Sequence, residues 1–86
     1  MKKELGLFLK KSKLIDSDLM KKDDEYLSDV MDFLPELYDE VLSGRGDATF
    51  ATSLINEFYT DHSDKILTYS QLGKIEEEIQ KFIDAA

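Results

Sequence analysis

A chain of 86 residues with no cysteine and a formal net charge of −8 is held to one domain, closed by a single apolar core without disulfides or thiolate metal sites. Residues 1–22 hold seven of the eleven basic side chains and three of the nineteen acidic ones, so residues 23–86 form an acidic body. That body excludes nucleic acid as the main partner, because phosphate binding needs a positive footprint.

No run approaches the ~18 apolar residues of a membrane span. The start, MKKELGLFLKKSKL, sets two lysines before an apolar patch from Leu5 to Leu9. That patch is shorter than the roughly 7–15 apolar residues of a signal peptide, and Lys10, Lys11 and Lys13 interrupt it. The chain reads as cytosolic. Its first helix spans Lys2 to about Lys13, with Leu5, Phe8 and Leu9 on one face, Leu7 flanking it, and Gly6 weakening it by roughly 1 kcal/mol. Its lysines either solvate the outside of the helix or touch an anionic membrane face, each then worth about 1 kcal/mol. The stretch IDSDLMKKDD reads as a link pinned to the body by Leu14, Ile15, Leu19 and Met20.

A second helix starts after Asp23 or Asp24, either of which can cap it. Its stripe is Leu27, Val30, Met31, Leu34, Leu37 or Tyr38, Val41 and Leu42, a 3.6-residue period. The stripe runs in phase through Pro35, which predicts one kinked helix and not two. Ser43-Gly44 ends it, with Gly44 free to take the left-handed cap conformation.

The third helix follows a turn at Arg45 to Asp47, capped by Asp47 or Thr49, and places Phe50, Ala51, Leu54, Ile55, Phe58 and Tyr59 on one stripe. Thr68 and Gln71 stand at the spacing of a capping box, so the fourth helix begins at Thr68. Its stripe is Leu72, Ile75, Ile79, Phe82 and Ile83. No segment alternates like a strand. The reading is all-α, a single antiparallel four-helix bundle over residues 1–86, monomeric, with Leu34, Leu37, Val41, Leu54, Ile55, Phe58, Leu72, Ile75, Ile79 and Phe82 in one core.

Little chemistry is written in the chain. His62 lies between Asp61 and Asp64, but a zinc site wants four ligands at fixed spacing. A calcium loop counted from Asp61 wants Gly and Glu where Ile66 and Leu72 stand. His62 therefore reads as part of a solvated helix end. Arg45-Gly46-Asp47 reads as a turn, and Asp16-Ser17-Asp18-Leu19 departs from the Asp-Ser-Leu carrier motif by an inserted Asp18. With no Cys, a lone His and no glycine-rich phosphate loop, the chain reads as neither an enzyme nor a cofactor binder.

The segment SLINEFYTDHSDKILTYSQLGKIEEEI resembles the hallmark region of the immunity proteins of pediocin-like (class IIa) bacteriocins. Members of that family carry an L-I-x-x-[LF]-Y helix, a link with a Lys-Ile step closing on a threonine, and a further helix beginning near a glutamine. Here the positions are Leu54, Ile55, Phe58, Tyr59, Asp64, Lys65, Ile66, Thr68 and Gln71, and the resemblance runs from about Tyr26 to Phe82. It implies an antiparallel four-helix bundle that protects the producing cell by associating, from inside, with the bacteriocin-occupied mannose phosphotransferase permease. The family's discrimination lies in its C-terminal half. Longer members add a packed tail after the fourth helix, whereas this sequence ends soon after Ile83, so specificity is expected on exposed residues of the 60–74 region: Asp61, His62, Asp64, Lys65, Gln71 and Lys74. The rival reading is a small acidic helical adaptor that holds a partner helix in an apolar groove.

Overall fold

The computed structural model describes residues 1–86. It is all-helical: α1 (Lys2–Lys11), α2 (Ser17–Lys22), α3 (Asp24–Leu42), α4 (Ala48–His62) and α5 (Tyr69–Ala85). The sequence reading expects four helices. The fifth, α2, lies inside the stretch read as a link. The Asp16 carboxylate accepts the backbone N–H groups of Asp18 and Leu19 and caps it, but six residues carry no apolar period long enough to announce a helix. Leu14 and Ile15 are buried and Leu19 and Met20 half-buried against the core, so this segment is pinned to the body as expected.

The starts of the longer helices follow from local chemistry. Asp23 caps α3 and Asp47 caps α4, each carboxylate accepting two backbone N–H groups of the first turn. At α5 both arms of the capping box are closed: Gln71 N–H donates to Thr68 Oγ1 at 3.1 Å, and Thr68 N–H donates to Gln71 Oε1 at 2.8 Å. The first helix ends at Lys11, before the expected Lys13. There Lys13 takes a left-handed conformation with φ 60°. Lys13 N–H donates to Lys10 O and Leu14 N–H to Leu9 O, the bond pair of a Schellman cap. Leu9 and Leu14, at the two positions of its apolar pair, are both buried in the core. Gly44 has φ 83°, the left-handed conformation expected after α3. At Gly46 an added Cβ would fall 2.0 Å from the backbone carbonyl oxygen of Glu40, so the turn into α4 admits no side chain there.

The core gathers Leu5 and Leu9 of α1, Tyr26, Val30, Leu37 and Val41 of α3, Ala48, Ala51, Ile55 and Phe58 of α4, and Ile75 and Ile79 of α5. The closest pairing is α4 with α5, and α3 packs on both. Of the ten residues predicted for the core, six are buried, and Leu34, Leu72 and Phe82 pack half-buried against it. Leu54 instead lines a surface groove.

Two stripes are rotated from their predicted positions. On α3 the buried arc runs through Tyr26, Val30, Leu37 and Val41, leaving Leu27 at the surface and Met31 60% exposed. This helix is apolar over too wide an arc for its period to choose a face. On α4 the first turn buries the small side chains Ala48, Ala51 and Thr52, and Phe50 stays 50% exposed. Small residues there let the helix come close to its neighbours, and Phe50, on another side of the helix, is not needed to fill space. Gly6 has a similar use, since a Cβ on it would meet the Tyr38 hydroxyl at 3.1 Å.

Candidate functional site

The stretch joining α4 to α5, residues 63–68, is held at three points. Lys65 N–H donates to Ser63 Oγ at 3.2 Å, and Ser63 Oγ–H donates to Lys65 O at 3.3 Å, folding the start of the link on itself. Leu67 is buried, and the Thr68–Gln71 box fixes the far end. In an extended chain neighbouring side chains point to opposite sides. With Leu67 turned inward, Ile66 is turned out and is 80% exposed. Tyr69, at the first position of α5, is 94% exposed. Two large apolar side chains thus stand in solvent on a link whose backbone is fixed.

Four of the six predicted specificity residues, Asp61, Asp64, Lys65 and Lys74, have exposed side chains and take part in no salt bridge. Gln71 is exposed, but its carbonyl oxygen is engaged in the capping box. His62 departs from its expected place at a solvated helix end. Its side chain is 24% exposed and stacks on Phe58 with ring centroids 4.1 Å apart, while Tyr26 meets it edge-on. Nδ1 lies 2.8 Å from Phe58 O and Nε2 lies 3.0 Å from Asp29 Oδ2. Burial pulls its pKa down. The Phe58 carbonyl, the bond to Asp29, and the charges of Asp29 and Asp61 act against this and outweigh it, so the pKa is raised above the ordinary histidine value. A helical sequence pattern could not find Asp29, which lies 33 residues away.

Two depressions flank His62. One, of about 600 Å³, opens between the end of α1, α2 and the end of α4, and mixes Lys10, Lys13 and Lys65 with Asp16, Asp18 and Asp64. The other, of about 400 Å³, runs between α3 and α4. Phe33 and Phe58, stacked 4.4 Å apart, line it with Leu54, and Asp29, Asp32, Glu36, Glu57 and Asp61 line it with carboxylates. Asp61 therefore belongs to this acidic groove more than to the link. No group of three or more His, Cys, Asp or Glu side chains is placed to hold a metal ion, and no helix is long and apolar enough to cross a membrane.

The sequence reading missed Ile66 and Tyr69 as surface features. The signal for Ile66 was the adjacent pair Ile66-Leu67 outside any helix, of which only one can turn inward. No protein-family model, curated protein or solved structure matches the chain.

Proposed function

We propose that this chain is a cytosolic immunity protein against a pediocin-like bacteriocin, acting as a monomer by recognition and without catalysis. In this reading α1, α3, α4 and α5 form an antiparallel four-helix bundle of the kind the resemblance implies, with α2 as an ornament of its first connection. The recognition surface is the α4–α5 link with the adjoining turns. Its partner is the bacteriocin-occupied mannose phosphotransferase permease, met from inside the cell. The observation that carries the reading is the exposure of Ile66 and Tyr69 beside unpaired Asp64, Lys65 and Lys74. Apolar side chains held in solvent by a fixed backbone suit docking, and the charges around them suit selection between partners. A membrane-surface contact through α1 fits the same setting, since the exposed Leu7 is flanked by the exposed Lys3, Lys10 and Lys11.

The test is expression in a sensitive strain followed by challenge with a panel of pediocin-like peptides. Protection against at least one supports the reading. A well-expressed chain that protects against none sinks it.

One observation favours the adaptor reading. The α3–α4 groove, with aromatic side chains and five carboxylates along it, suits a basic amphipathic helix. Neighbouring genes discriminate: a small secreted, cysteine-containing peptide with a double-glycine leader beside this reading frame favours immunity.

A further inference from the structure

The two ring nitrogens of His62 both face oxygen acceptors, Phe58 O at 2.8 Å and Asp29 Oδ2 at 3.0 Å. Neither a carbonyl nor a carboxylate can donate, and a neutral imidazole carries one N–H. In the neutral form one of these contacts therefore sets a nitrogen lone pair against an oxygen lone pair. Only the imidazolium donates to both.

We propose that protonated His62 is a latch that fastens the last turn of α4 to α3 and thereby sets the start of the 63–68 link, so that proton occupancy at one side chain governs the link's surface. His62 is the last residue of α4, and Ser63, which folds back on Lys65, follows it directly. Its grip on Asp29 is the sole side-chain hydrogen bond between α3 and α4. Losing it frees the helix end from its polar anchor and leaves the Phe58 stack in place.

The groups around the ring favour the charged form. From α3 it faces Asp29, with Asp32 and Glu36 along the α3–α4 groove and the Tyr26 phenol on the side of the larger cleft. From α4 come Asp61, Glu57 and Tyr59, and from the link Asp64 and Lys65. Across the larger cleft stand Asp16 and Asp18 with Lys10 and Lys13. Carboxylates outnumber lysines in this set, and the one bonded to the ring is a carboxylate. The latch is closed below the histidine's folded-state pKa and opens as pH rises through it, because a raised value means the folded chain holds the proton more tightly than the unfolded one.

That the latch governs partner recognition rests on the proposed function. The latch itself does not, and it can be read with no partner present. The chain has one histidine, so its Cε1–H signal in an NMR titration of the full chain is unambiguous. The expected result is a midpoint above the ordinary value of about 6.5, with the amide signals of Ser63, Lys65 and Ile66 moving at that midpoint and exchanging faster above it. In Asp29→Asn the midpoint falls and the link's step moves with it, whereas Asp32→Asn, in the same groove without the bond, shifts it less. In His62→Gln the link shows no step. A wild-type His62 midpoint at or below the ordinary value, or link amides indifferent to it, overturns the proposal without any variant. A latch that titrates as described in a chain that protects against no pediocin-like peptide removes the functional reading and leaves the latch standing.

Discussion

The Tyr26 phenol oxygen accepts the backbone N–H of Asp16 at 2.9 Å, so a buried side chain of the first turn of α3 holds the residue that caps α2. Tyrosine hydroxyls prefer an edge, and this one finds its partner inside the fold instead. Tyr26→Phe keeps the ring and leaves the Asp16 N–H unpaired, which costs about 1–2 kcal/mol. Urea denaturation of the two chains checks it. Burial raises the phenol pKa of Tyr26, the bond from Asp16 N–H opposing it in part, and burial alone raises that of Tyr38. The stability these neutral phenols lend is complete below the ordinary tyrosine pKa, about 10, and drains away as pH rises above it. Tyr26→Phe should therefore show a shallower alkaline fall than the wild type.

Lys13 occupies the left-handed position of the α1 cap with φ 60°, where a Cβ is penalised and glycine is not. Lys13→Gly leaves the two cap bonds intact and should stabilise the fold by about 1 kcal/mol, less the entropy that glycine adds to the unfolded chain. The midpoint of thermal or urea unfolding reads it. A destabilised variant would mean that the lysine stem packs on the larger cleft it lines strongly enough to repay its strain.

These two residues mark where the sequence was readable and where it was not. Caps are local: Asp23, Asp47 and the Thr68–Gln71 box lie within three residues of the groups they satisfy, so spacing found the box outright and narrowed the other two to Asp23 or Asp24 and to Asp47 or Thr49. The α5 stripe was equally plain, since Ile75 and Ile79 have polar neighbours on every other side. The face of α3 was not, because Leu27 and Met31 compete with Tyr26 and Val30, and only the positions of α4 and α5 settle which pair is covered. His62 is the sharpest case among the site residues. Besides Phe58, one turn back on its own helix, its partners are the Asp29 carboxylate and the Tyr26 ring, both on α3, and nothing in TDHSDK announces those two. Tyr26 bonding to Asp16 is non-local in the same way, and α2 was too short to show a period at all.

Pro35 lies exposed within α3, which runs unbroken from Asp24 to Leu42, as the in-phase stripe requires. A proline there removes the bond to the Met31 carbonyl and crowds it. Met31 is itself at the surface, so water can meet that carbonyl. Pro35→Ala should be neutral or stabilise by up to about 3 kcal/mol. Should the change instead cost several kcal/mol, proline sets a helix direction that the packing of Leu37 and Val41 needs.

Ile66 and Tyr69 separate recognition from folding. Each is largely out of contact with the core, so Ile66→Ser and Tyr69→Ser should change stability by no more than about 0.5 kcal/mol, the usual range for surface positions. If the link is the docking surface, the double variant loses protection while its unfolding curve stays in place, because apolar anchors at the centre of an interface carry much of the binding energy. The polar residues beside them should govern choice more than strength. Exchanging residues 60–74 for the matching segment of a related immunity protein should therefore redirect protection to that protein's bacteriocin. Leu67 and the capping pair Thr68 and Gln71 are retained in the exchange, so that the link keeps its shape. A folded exchange variant that still protects against the original peptide alone places specificity outside this segment. A double variant that unfolds early shows that Ile66 or Tyr69 packs inward and that the recognition surface is drawn in the wrong place.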